Sequence, residues 1–142
     1  MRPTLVIRAV EDRDETAVLA LWQACDLTRP WNDARQVMAH KRRQQPELFL
    51  VGELSGQLVA SVMAGDDGTR GWVHYLGVLP SYQGQGLGQQ LMQHVERALA
   101  ERGCPKLNLQ VRSDNAAVIA FYRRLGYLVD DVMSLGKRLD GG

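Results

Sequence analysis

The stretch Val78–Leu91, VLPSYQGQGLGQQL, sets Gly84, Gly86 and Gly88 at alternate positions between a proline and what reads as the first turn of a helix. A strand that passes through a glycine loop into a helix gathers unpaired backbone N–H groups and the positive end of the helix dipole at one spot, which suits an anion. No Lys or Arg occurs from Gly71 to Val95, so a phosphate held here rests on main-chain amides rather than on ion pairs. Glycine permits that close approach. Two familiar phosphate loops do not fit. The nucleotide-hydrolysing loop needs G-x-x-x-x-G-K-[ST], and the first lysine after these glycines is Lys106. The dinucleotide fingerprint G-x-G-x-x-G would put its third glycine on Gln89. The plain alternative is a glycine-rich helix entry that binds nothing.

Regular elements must carry this loop. TLVIRAV reads as a strand, and Glu11 to Cys25 as a helix with Val18, Leu21, Trp22 and Cys25 on one face. After DLTRPWND, with Asn32 and Asp33 as possible caps, a more polar helix runs through Met38 to Arg43. LFLVGEL, the turn SG and QLVASVMAG form an antiparallel hairpin, and DDG leads into a third strand, GWVHYLGV. The glycines then open a long amphipathic helix with Leu87, Leu91, Met92, Val95 and Leu99 in one stripe. KLNLQV is a strand, Asp114 or Asn115 caps a last helix that Gly126 closes, and YLVDDVMSLGKRL reads as strand material. Strands in a meander mixed with helical crossovers predict an α/β (α+β) fold with a mixed sheet.

A chain of 142 residues fits a single domain, 1–142, able to bury about 70% of the surface its unfolded form exposes. A net charge of +1 lacks the basic bias of a protein held by nucleic-acid backbones. The longest apolar runs are strand-length and no export signal is visible, which predicts a cytoplasmic protein with no membrane partner. Cys25 and Cys104 show no metal-ligand spacing, so no metal is expected and both read as buried thiols.

Gln83-Gly84-Gln85-Gly86-Leu87-Gly88, after Val78-Leu79-Pro80, resembles the [QR]-x-x-G-x-[GA] signature of the GNAT superfamily of acetyl-CoA-dependent N-acetyltransferases. Asn115-Ala116-Ala117, Ala120-Phe121-Tyr122 and Leu125-Gly126-Tyr127 are similar to the later motif of that family, N-x-x-A-x-x-[FY]-Y-x-x-x-G-[FY]. The resemblance covers nearly the whole chain. It implies a mostly antiparallel central sheet of about six to seven strands flanked by four helices. It also implies that Leu76, Gly77 and Val78 offer backbone groups to the pantetheine arm of acetyl-CoA. Gln83, Gly84, Gln85, Gly86, Leu87, Gly88 and Gln89 would hold the pyrophosphate, and Asn115 the cofactor arm. Tyr122 would protonate the leaving thiolate. Two positions depart from the pattern. Relatives often carry Arg at position 84, and LQVRSDN is similar to the LEVRxSN of alanine acetyltransferases with Gln110 in place of their glutamate base. An amide accepts no proton at neutral pH.

The expected reaction is direct attack of a primary amine, of a protein N-terminus, a lysine or a small molecule, on the thioester through a tetrahedral intermediate. It needs a neutral amine, an oxyanion donor and a proton for the thiolate. A phenol of pKa about 10 is protonated at neutral pH and can serve a thiolate whose acid is near 8.5. The oxyanion is best met by a backbone N–H on the strand ending at Val78, with Gly77 as the place where that strand bends away from KLNLQV. An α-amino group of pKa about 8 is already partly neutral, so no base is assigned. His74, Glu53, Asp66 and Asp67 are the candidates. Acceptor recognition is expected between Cys25 and Arg43, with Arg29 and Trp31 foremost. A homodimer is open to the chain. The rival reading is an acyl-CoA sensor or partner-binding module, weak in turnover because Gln110 replaces the acid.

Overall fold

The computed structural model describes residues 3–141. The chain divides into two compact units, Met1–Gln110 and Val111–Gly142. The first contains β1 (Val6–Ala9), α1 (Glu15–Ala24), α2 (Ala34–Arg42), β2 (Phe49–Leu54), β3 (Gln57–Asp66), β4 (Gly71–Val78), α3 (Leu87–Glu101) and β5 (Leu107–Leu109). Its sheet runs β1-β2-β3-β4-β5. The first three pairings are antiparallel and β4–β5 is parallel. The second unit contains α4 (Ala116–Arg124) followed by an extended tail.

Local chemistry accounts for the boundaries. Of the two possible caps before α2, Asp33 is the one used, its carboxylate accepting from Arg35 N and Gln36 N. Ser55 and Gly56 have φ of 50° and 78°, the two left-handed residues of the tight turn that best matches strand twist. Val18, Leu21, Trp22, Met38, Phe49, Val51 and Met63 form one buried cluster between the sheet and the α1/α2 layer. The stripe Leu87, Leu91, Met92, Val95 and Leu99 of α3 is also buried. It covers the opposite face, where a side chain at Gly71 would meet Leu99.

The mixed, mostly antiparallel α/β class and the four α-helices are as expected, but the sheet has five strands rather than six to seven. The difference lies in YLVDDVMSLGKRL. Residues 127–139 enter no strand ladder, and Leu128, Val129, Val132, Met133, Leu135 and Leu139 are exposed, Leu135 to 92%. Apolar and β-branched composition favours a strand only where a neighbouring strand takes up its N–H and C=O groups. No such neighbour pairs with this segment among the described residues.

One ion cluster ties β1 to the turn before α1. Arg8 grips Asp14 through Nη1 and Nη2 at 2.7 and 2.9 Å, and Asp14 also accepts from Glu11 N at 2.8 Å. Asp14 is only 5% exposed, and the guanidinium holds its carboxyl below the usual carboxylate range. A depressed folded pKa contributes stability above the unfolded pKa of about 3.9 and loses it as pH falls through the folded value. Arg8→Met is expected to cost about 3 kcal/mol at pH 7, and the gap between variant and wild type to close as pH falls from about 5 toward 3. Urea midpoints across that range check it. A gap that does not depend on pH would assign the loss to packing.

Candidate active site

β4 changes register halfway along. His74 stands opposite Met63 and Gly77 opposite Ser61, so Tyr75 and Leu76 together face the single residue Val62. Tyr75 sits at φ +55°, a region that bulky residues avoid. It is held there by the Trp22 ring, stacked on it at 4.1 Å and 15°. On the other side β5 pairs only with Gly71–Val73. The bulge therefore begins where the parallel ladder stops, and β4 from His74 to Val78 runs on without a β5 partner.

The backbone polarity of that edge follows. Leu79 N donates to Val59 O at 2.8 Å, and the alternation of an antiparallel ladder then turns the polar groups of Val78 and Leu76 away from β3. The Val78 carbonyl accordingly accepts from Gln83 Nε2 at 3.0 Å and from Cys25 Sγ at 3.2 Å. Gln83 thereby braces the glycine turn against the end of β4. The expectation that Gly77 makes the bend is corrected, since the bend is at Tyr75–Leu76. Gly77 serves packing: a Cβ there would lie 3.1 Å from Leu21 and Leu27 and 3.2 Å from Cys25.

Residues 80–82 form a short 3-10 turn, after which Gly84 and Gly86 take φ of 80° and 81°. Gly86 is the N-cap of α3 with no side-chain cap. The first intrahelical bond is Gln90 N to Gly86 O at 3.2 Å, so the amides of Leu87, Gly88 and Gln89 have no intrahelical acceptor. Gln90 itself is used elsewhere, bonding Leu5 N and Pro3 O. A built Cβ at Gly84 meets nothing within 4 Å. Glycine is required there by its dihedral angle rather than by crowding. Successive left-handed glycines leading to an uncapped helix end make an amide-lined hollow that suits a diphosphate, and no basic side chain is needed. The unpaired edge of β4 adjoins it, as a pantetheine arm requires. These residues fit acetyl-CoA.

In the second unit Asn115 caps α4, its side chain accepting from Val118 N at 3.2 Å. Tyr122 is 8% exposed and meets Phe121 and Tyr127 edge-on at centroid distances of 5.0 and 5.6 Å. Burial pushes its phenol well above the ordinary value, which keeps it protonated at neutral pH. Of the acceptor-side candidates, Trp31 is 56% exposed. Arg29 folds back onto its own loop, donating to Asp26 O at 2.8 Å and Thr28 O at 2.7 Å.

Among the base candidates three carboxylates are engaged. Glu53 accepts from Arg8 Nε, and Asp66 from Gly68 N and Arg102 Nε. Asp67 accepts from Thr69 N, Arg70 N, the Thr69 hydroxyl and the Trp72 indole. Those four donors hold Asp67 far below the carboxylate range. His74 differs. Desolvation, with the Lys41 charge adding to it, lowers its pKa, so its imidazole is neutral at pH 7. Both cysteines are free thiols. Among the described residues no cluster of three His, Cys, Asp or Glu side chains could hold a metal, and no helix is long and apolar enough to cross a membrane. Sequence reasoning missed Tyr75, because nothing in a strand pattern marks a tyrosine for the left-handed region.

The acetyltransferase (GNAT) family model matches residues 15–127. An acetyltransferase of Yersinia enterocolitica, YE1169, is 50% identical over 133 residues, 94% of each chain. The solved structure of the ribosomal-protein-S18-alanine N-acetyltransferase from Escherichia coli is 30% identical with a TM-score of 0.72, covering 87% of this chain and 77% of that one. Ard1 from Thermoplasma volcanium shares the fold at a TM-score of 0.80 and 24% identity, over 89% and 84% of the two chains. By these matches the chain belongs to the GNAT acetyltransferase family.

Proposed function

We propose that this acyltransferase moves the acetyl group of acetyl-CoA to a primary amine by direct attack, and that the whole chain acts as one acetyltransferase domain. The observation that carries the reading is the glycine turn at the uncapped start of α3, set beside the unpaired edge of β4. The family match, which runs through both units from residue 15 to residue 127, supports the single domain.

Acetyl-CoA, when bound, supplies an acetyl group activated as a thioester. The amides of Gly84 to Gln89 take the diphosphate, and the outward-facing backbone groups of the Leu76-Gly77-Val78 stretch hold the pantetheine arm as a strand would. A main-chain N–H on that edge faces the carbonyl oxygen as it gains charge, and a fixed donor of this kind needs no rearrangement during reaction. Tyr122, kept protonated by burial, gives its proton to the departing sulfur. Asn115 supports the cofactor arm on the strength of its motif, while Arg29 and Trp31 flank the acceptor. An α-amino acceptor of pKa about 8 arrives partly neutral, so the loss of an acid at Gln110 does not stop turnover. The reading places the enzyme in the cytoplasm.

The test is incubation with acetyl-CoA and a panel of amino acids, short peptides and polyamines, followed by thiol titration and mass spectrometry. Amine-dependent thiol release, with one acetyl group gained by the acceptor, is expected. Cofactor binding without thiol release would replace the reading by the acyl-CoA sensor. Failure to bind acetyl-CoA would remove both.

A further inference from the structure

A second hollow lies on the α1/α2 face of the β3–β4 hairpin, at the end away from the glycine turn. It has a volume of about 260 Å³, and its lining includes Lys41, Gly65, Asp66, Asp67, Trp72 and His74. Roughly 20 Å of extended strand separates Trp72 from Val78, so this place is distinct from the diphosphate hollow. His74 is also the first β4 residue beyond the β5 ladder, which puts one wall of the cavity next to the open edge of β4.

The walls are fixed. Trp72 and His74, two apart on one face of β4, have rings within 5° of parallel at 6.5 Å, and the Trp72 indole N–H donates to Asp67 at 3.0 Å. The end of α2 is pinned to β3 by Gln45, whose side-chain amide donates to Asp66 O and accepts from Asp66 N, both at 2.8 Å. Lys41 lies over Gly65, where a Cβ would be in ordinary van der Waals contact with the Lys41 Nζ at 3.7 Å.

The charges are unequal in availability. Both aspartates of the lining are engaged by the turn, by Trp72 and by Arg102. Lys41 is half-buried and forms no ion pair with any described residue, and desolvation already lowers its pKa. A partly desolvated cation beside a flat aromatic wall favours an anion with a planar or apolar body, because a charge-assisted hydrogen bond gains strength where water is thinned. Carboxylate is the anion that an amine acceptor commonly carries.

Resting on the acetyltransferase reading above, we propose that this cavity selects acceptors that carry a carboxylate, which pairs with Lys41 while the acceptor body lies on Trp72 and His74 and the amine points toward the open edge of β4. Rigid walls cut the ordering cost of such binding. The carboxylate can come from a free amino acid or from an acidic residue of a peptide N-terminus, and the assay separates them.

Two measurements decide it. In the first, kcat and KM are compared for amino acids and acidic peptides against their carboxamides, with wild type, Lys41→Met and Lys41→Arg. Wild type is expected to prefer the carboxylates by about tenfold or more, through KM. Lys41→Met abolishes the preference and Lys41→Arg restores part of it. In the second, benzoate is titrated into isotope-labelled protein without acetyl-CoA. The Trp72 indole and His74 imidazole resonances shift saturably in wild type and not in Lys41→Met, and benzylamine shifts neither. Equal rates on carboxylate and amide, a preference that survives Lys41→Met, or equal benzoate shifts in both proteins would overturn the proposal. The benzoate experiment uses no cofactor, so it stands or falls separately from the acetyltransferase reading.

Discussion

Tyr122→Phe lowers the turnover number for acetyl transfer by about 10²- to 10⁴-fold, while acetyl-CoA affinity and the urea midpoint stay near those of wild type. The variant keeps the ring and therefore its edge-on contacts with Phe121 and Tyr127, so the loss is confined to the hydroxyl. The raised phenol pKa makes Tyr122 a weaker acid than a free phenol. Proton transfer depends on the difference between donor and acceptor, however, and a thiolate leaving into water-poor surroundings is raised in the same sense. Because the phenol is protonated throughout the neutral range, the rate is expected to show no fall from Tyr122 ionisation below about pH 9. Turnover unchanged in the Phe variant, measured under saturating acetyl-CoA, would remove Tyr122 from the chemistry.

Gly86→Val weakens acetyl-CoA binding by about 10²-fold, equivalent to about 2.7 kcal/mol. Two causes act together. The residue occupies φ +81° at the N-cap of α3, where a β-branched side chain is a steric outlier. The residue also directly precedes the amides of Leu87, Gly88 and Gln89, which lack intrahelical acceptors and are to take the diphosphate. Gly86→Asn separates the causes, since Asn tolerates the left-handed region yet still brings a side chain to the hollow. It is expected to lose about tenfold, between glycine and valine. Circular dichroism should show α3 intact in both, because the buried stripe from Leu87 to Leu99 rather than the cap holds that helix to the sheet.

Much of this was legible from residue types. Of the paired candidate caps, Asn115 and Asp33 are the ones used, and Gly84 and Gly86 take left-handed φ, a dihedral requirement where the sequence pattern suggests close approach of a ligand. The Ser55–Gly56 turn is of the same kind. What depends on partners far along the chain was not legible. At the bulge Tyr75 stacks on Trp22, on another element; a tyrosine in a strand pattern carries no sign of this. Gly77 looked like a hinge and is a packing residue because α1 and Leu27 crowd it. The tail from Tyr127 to Leu139 has strand composition, but composition supplies no ladder. Nothing in the sequence pattern singles out Lys41 within its polar helix. It is half-buried over Gly65 of β3, a neighbour distant in sequence.

Bare main-chain amides at the start of α3 are proposed to receive the diphosphate of the cofactor. Calorimetric titration of acetyl-CoA into wild type, Gly86→Asn and Gly86→Val tests it most directly. Saturable heat is expected with wild type, and affinity that falls in the order Gly, Asn, Val. Identical affinities in all three folded proteins, or no heat with wild type, would contradict it.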